Sequence, residues 1–153
     1  PTQILLAPPS ASRLSEGTWS RLLLVHPHLP PSTVNGILAQ RLVRRLDPAT
    51  RVAFEAPPEL IAEHGLDRLT DRRPIVLYHP GTGGYRGRSA ITELLVMNDE
   101  LRSLLMRQAD AATLEQAARR SGLRTLHEEG LRQALAGITS LEEVLRVTRG
   151  EGT

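Results

Sequence analysis

Gly137-Ile138-Thr139-Ser140-Leu141-Glu142-Glu143-Val144-Leu145-Arg146-Val147 spells out a whole helix with its boundaries. Gly137 stands where a preceding helix stops, because glycine takes the left-handed conformation of a C-terminal cap without steric cost. Ser140 and Glu143 have the spacing of a capping box. The hydroxyl satisfies one orphan amide of the first turn, and the carboxylate reaches back to the amide of the cap itself. Leu141, Val144 and Leu145 then share one face. The same grammar recurs upstream. Thr125 with Glu128 opens a run carrying Leu126, Leu131, Ala134 and Leu135, and Thr113 with Gln116 opens one carrying Leu114, Ala117 and Ala118. Asn98 caps a further run with Leu101, Leu104 and Leu105, and Gly122 is another stop. The C-terminal third therefore reads as four short helices with tight connections, ending in a frayed tail.

Toward the N-terminus the signals change. Ser89 to Met97 is aliphatic and reads as extended, as does Ile75-Val76-Leu77-Tyr78, with Gly81-Thr82-Gly83-Gly84 as a loop before it resumes. Pro57-Pro58 opens a short helix, Glu59 to His64, with Gly65 as its C-cap. Val34, Ile37 and Leu38, with the stem of Arg41, fall at helical spacing, which predicts a helix starting near Ser32. Leu42 to Leu46 continues that helix or turns into a strand, and Asp47-Pro48 ends it. Trp19, Leu22 and Leu23 suggest an earlier helix, and Gln3 to Ala7 a buried strand.

The 153 residues suit one domain or two small ones. Only 3% are aromatic, so the core has to be aliphatic. There is no cysteine, which excludes disulfides, thiolate metal sites and cysteine nucleophiles. All 19 basic residues are arginines. The absence of lysine excludes a Walker A lysine, a Schiff base and a lysine general base. A net charge of +2 is small, so a pI of 9.9 is weak support for nucleic-acid binding. No apolar run approaches the ~20 residues of a membrane span. The first residue is Pro1, as in a chain that is processed, cut or incomplete.

Thr82 to Ser89 looks like a phosphate loop, but Thr82 replaces the first glycine, Arg88 replaces the lysine, and the following residues look extended rather than helical. Gly84-Tyr85-Arg86-Gly87 matches a backbone-clamping G-x-x-G loop without the flanking helices or stacking aromatics. It reads more simply as a turn that holds Tyr85 against a sheet while Arg86 and Arg88 pair with carboxylates. His26-Pro27-His28 lacks the further ligands of a metal site. Glu128-Glu129 and Glu142-Glu143 sit in first helical turns, where carboxylates favour the helix dipole.

Four strings together resemble the C-terminal part of the type II secretion and type IV pilus assembly ATPases. They are Ala39-Gln40-Arg41-Leu42-Val43-Arg44; Gly84-Tyr85-Arg86-Gly87-Arg88 with Ile91 and Glu93-Leu94-Leu95; Gly122-Leu123-Arg124-Thr125-Leu126 with Glu129-Gly130-Leu131; and the 137–147 stretch. The resemblance implies an α+β, helix-rich chain in three parts. Residues 1–46 are the tail of a RecA-like motor core, 47–83 an irregular, degenerate zinc subdomain, and 84–150 a C-terminal strand with a bundle of short helices; 151–153 is the frayed tail. It places the P-loop, acidic boxes and Walker B motif upstream, and the family's conserved-box histidine on Ala11. The family's two C-x-x-C pairs fall on Asp47, Thr50, Leu77 and Pro80, so zinc is not expected. ATP and magnesium are expected only for a full-length motor, and this chain is not expected to hydrolyse ATP alone.

The family's motors are cytoplasmic hexameric rings that act on an inner-membrane platform protein. The resemblance thus implies a homo-oligomer, peripheral at the inner membrane through partners, without nucleic acid and without membrane insertion. Arg41, Arg86 and Arg88 are the candidates for interface contacts or ion pairs, with Glu93 a partner, from motif position and guanidinium chemistry. No catalytic, cofactor or metal residue is assigned. The alternative readings are a non-enzymatic regulatory protein derived from such a motor and, more remotely, a nucleic-acid binder using the G-x-x-G loop.

Overall fold

A computed structural model describes residues 3–6 and 34–148. The expected helix around Trp19, the His26-Pro27-His28 pair, Ser32 and Ala11 lie outside the described residues. Strand β1 spans Gln3–Leu6 and pairs in parallel with β2, Val34–Leu46, with Gln3 beside Val34 and Leu6 beside Leu38. Strand β5, Tyr85–Val96, is the other neighbour of β2. Met97 N–H donates to Asn35 O at 3.0 Å and Asp47 N–H to Gly84 O at 3.2 Å, the pairing of antiparallel neighbours.

The helix expected from Ser32 is thus corrected to a strand. Val34, Gly36, Ile37, Ala39, Val43 and Leu46 are all buried in β2. A strand covered on both faces loses its clean two-residue alternation, and its apolar spacing then mimics a helix.

Residues 34–41 and 92–126 gather with β1 into one compact unit, and 42–91 with 127–148 into another. The first unit is built on the inward positions of the two long strands. In β5, Ile91, Glu93 and Leu95 are buried while Thr92, Leu94 and Val96 are exposed, the period-two pattern of a sheet with one covered face. Val34, Ile37, Leu95 and Met97 pack with Leu101 and Leu105 of helix α2 (Asp99–Met106) and with Leu114, Ala117 and Ala118 of α3 (Ala111–Arg120). Asn98 caps α2 as expected, its Oδ1 accepting from Leu101 N–H at 2.8 Å. The capping box at Thr113 does not form. Helix α3 begins three residues earlier than a Thr113 cap implies, and Asp110 is the cap, accepting from Thr113 N–H at 2.8 Å and from the Thr113 hydroxyl at 3.0 Å. Asp110 takes both the amide and the hydroxyl of Thr113, so Thr113 becomes a first-turn residue rather than the cap.

The second unit carries an antiparallel pair, β3 (Val52–Glu55) with β4 (Val76–His79), in the register Val52 opposite His79 and Glu55 opposite Val76. Between them lie α1 (Pro58–His64), ended by Gly65 in the left-handed conformation as expected, and a 3-10 turn at Leu66–Arg68. Helix α4 spans Leu126–Leu135 and α5 spans Leu141–Thr148. Leu66, Ile75, Leu77, Leu131, Ala134 and Val144 form this unit's core. The four C-terminal helices are those the sequence spells, and Gly137 closes α4 at a φ of 72°.

Candidate functional site: a carboxylate held by two arginines

The spacing to Ser140 predicts Glu143 as the returning half of a capping box. Glu143 does something else. Ser140 caps α5, its Oγ accepting from Glu143 N–H at 3.2 Å. The Glu143 side chain, fully buried, turns instead to Arg44 and Arg146. Its Oε1 accepts from Arg44 N–H at 3.0 Å and from Arg146 Nη2 at 2.7 Å. Its Oε2 accepts from Arg44 Nε at 3.1 Å and Nη2 at 2.8 Å, and from Arg146 Nε at 2.9 Å. The i,i+3 spacing on α5 brings Arg146 onto the carboxylate, and β2 delivers Arg44 from 99 residues away.

The rest of the cluster fixes Arg44. Its guanidinium carbon lies 4.2 Å from the centre of the Tyr85 ring, a cation–π contact. The Tyr85 hydroxyl is 2.7 Å from Ser140 Oγ. Thr139 Oγ1 donates to Arg44 O at 2.7 Å, and Leu46 N–H to Ile138 O at 2.9 Å. Tyr85, expected in a tight turn, is instead the first residue of β5.

Burial alone would push the Glu143 carboxyl up. The hydrogen bonds from Arg146 and Arg44 overcome that and hold it down at about 2. The same bonds raise both guanidinium values. Glu143 is thus permanently ionised near neutral pH and is no general acid or base. Two cations face one anion, so the cluster keeps a net positive charge, and about half of each arginine side chain remains open to solvent. Arg146 also borders an adjoining cleft of about 790 Å³, lined by Phe54, Tyr78, His79, Leu141 and Leu145.

The four expected site residues lie elsewhere. Arg41 is half-buried, and its Nε has no hydrogen-bond partner among the described residues. Arg86 and Arg88 are exposed on β5. Glu93 is buried, and its Oε2 accepts from Leu126 N–H at 2.9 Å, at the start of α4. Arg41 and Glu93 belong to one unit, Arg86 and Arg88 to the other. The residues that sequence reasoning missed are Arg44, Tyr85 and Glu143 with Arg146. Their signal was present: Arg44 ends the first of the four quoted strings, Tyr85 sits in the second, and Glu143 and Arg146 lie in the last. Three strings far apart in sequence meet at one carboxylate.

The strings that meet here also carry the chain's likeness to a class of secretion proteins. Residues 14–146 match the family model described as Type II/IV secretion system protein. The chain is 52% identical to the type II secretion system protein E of Xanthomonas campestris pv. campestris over 81% of its own length and 23% of that protein's. It is 40% identical to the type IV pilus assembly ATPase PilB of Thermus thermophilus, over 81% of this chain and 14% of PilB. To the type II secretion system protein E of Pseudomonas aeruginosa it is 39% identical, over 83% of this chain and 26% of that one. The chain belongs to the type II/IV secretion system protein family. It spans about a quarter or less of the length of these relatives.

A phosphate loop needs a helix after it, whose first amides face the phosphates; Tyr85–Val96 is a strand and contains Arg88. Of the four positions that match zinc cysteines, Leu77 is fully buried in the core and Pro80 has no donor side chain. Asp47 Oδ1 accepts from Ala49 N–H at 3.1 Å and Thr50 Oγ1 from Gly83 N–H at 3.0 Å. These residues do not fit zinc. Among the described residues no group of three or more His, Cys, Asp or Glu is placed to hold a metal ion, and no helix is long and apolar enough to cross a membrane.

Proposed function

We propose that this chain is the C-terminal part of a cytoplasmic secretion or pilus-assembly motor ATPase, and that it serves ring packing and force transmission rather than phosphate chemistry. The observation that carries this reading is the Glu143 cluster. It ties the end of β2, the start of β5 and α5 into one rigid body with a permanently ionised centre, which suits a part that transmits motion. Arg86 and Arg88 are left facing solvent beside it, free to meet carboxylates of a neighbouring subunit in a hexameric ring or of an inner-membrane platform protein. Arg41 and Glu93, buried or half-buried, act inside the subunit. ATP and magnesium belong to the longer motor.

Intact mass of the endogenous protein is the first test. A mass far above 16.8 kDa is expected; a mass near that value overturns the motor reading. In the longer protein, Arg88→Glu should weaken ring assembly in sedimentation while the circular dichroism of the subunit stays unchanged. Undiminished assembly of both Arg86→Glu and Arg88→Glu would remove the packing role.

A further inference from the structure

We propose that Asp47 and Thr50 close the base of the β3–β4 pair by hydrogen bonds, so that this subdomain folds without the metal that tetracysteine relatives use there. The turn is drawn tight by its own backbone: Asp47 O accepts from Thr50 N–H at 3.2 Å and from Arg51 N–H at 2.9 Å. Asp47 Oδ1 on Ala49 N–H adds an Asx turn. The β3–β4 register sets Val52 opposite His79, so the two turns lie at the same end of the pair, and Thr50 Oγ1 reaches Gly83 N–H across 33 residues of chain.

The two turns lie in direct contact. A Cβ built on Gly81 would fall 1.7 Å from Thr50 O, and one on Gly83 would fall 2.4 Å from Asp47 Oδ2 and 2.6 Å from Thr50 Oγ1. A tetrahedral zinc needs open space at its centre, with thiolate sulfurs about 2.3 Å away on every side. Here glycine backbone and the Thr50 and Asp47 oxygens fill the gap between the turns. The glycines at 81 and 83 are therefore part of the same device. They allow the close approach that lets a hydroxyl do the joining. The consequence for the protein is that this region resists chelators and thiol oxidants alike.

The test uses the whole chain and three variants. Metal analysis of the purified protein should find no stoichiometric zinc, and neither a strong chelator nor added zinc should move the melting temperature. Thr50→Val keeps the side-chain shape and removes the acceptor, so exchange at the Gly83 amide should quicken about fivefold, the effect of one ordinary hydrogen bond. Thr50→Ser should exchange as the parent does. Gly81→Ala should abolish protection throughout β3 and β4. Zinc near one per chain, a melting point lowered by chelation, or Gly83 exchange that Thr50→Val leaves unchanged would each overturn the proposal.

Discussion

Glu143 shows how a side chain's charge state follows from its neighbours rather than from its burial. Its folded value of about 2 lies below the ordinary 4.5. A group depressed in this way stabilises the fold fully above about pH 4.5, and that contribution disappears as pH falls toward 2. Glu143→Gln should therefore cost about 2–3 kcal/mol at pH 7, measured by urea unfolding. The variant's deficit should shrink steadily between pH 5 and pH 2.5. The loss stays below that of a dry buried pair, because both arginines can turn to water. Arg44→Lys should also lower the melting point, by less than Glu143→Gln does. An ammonium cannot reproduce the guanidinium fork that sets both Nε and Nη2 on Glu143 Oε2 while the guanidinium carbon lies over Tyr85. At this scale the sequence displayed the i,i+3 pair Glu143 and Arg146, but not its third member. Nothing local to Leu42–Leu46 announces that Arg44 will meet residue 143, because that contact depends on how a strand and a helix pack.

The elements divide into those with local punctuation and those without. Asn98, Gly65, Gly122, Gly137 and Ser140 each mark a helix end by a mechanism that works within four residues, and those ends stand where the residues put them. Thr113 misled because Asp110 caps the helix three residues earlier and accepts from Thr113's own amide, which puts Thr113 inside the first turn. Strand β2 misled because burial on both faces removed its alternation. Packing between elements is equally invisible from one stretch alone, and Gly130 is the case that can be tested. In a helix interior, alanine is ordinarily better than glycine by about 1 kcal/mol. At Gly130 an added Cβ would sit 2.6 Å from Val144 Cγ1 on α5. Gly130→Ala should thus destabilise by about 1–2 kcal/mol despite its better propensity. The double variant Gly130→Ala with Val144→Ala should be more stable than the sum of the two single changes. Additive losses in chemical denaturation would mean that the two helices relax apart freely.

For the whole molecule, sequence order conceals the grouping of residues. The motif strings run in the order of the family, yet the two compact units are each assembled from separated stretches, since β2 and β5 change unit partway along their length. A linear reading recovers the members of each core as aliphatic positions but has no means of sorting them. The sorting makes a prediction of its own. Leu114 and Leu77 are both fully buried leucines, and each belongs to a different core. Truncating either to alanine should cost about 3–4 kcal/mol from lost burial and the cavity left behind. If each unit opens around its own core, amide exchange will separate the two variants. Leu114→Ala should accelerate exchange in α2 and α3 and leave β3, β4 and α5 protected. Leu77→Ala should do the reverse, because it belongs to the cluster of Ile75, Leu131 and Val144. Uniform acceleration by both variants would show instead that the continuous strands couple the two cores into one cooperative transition.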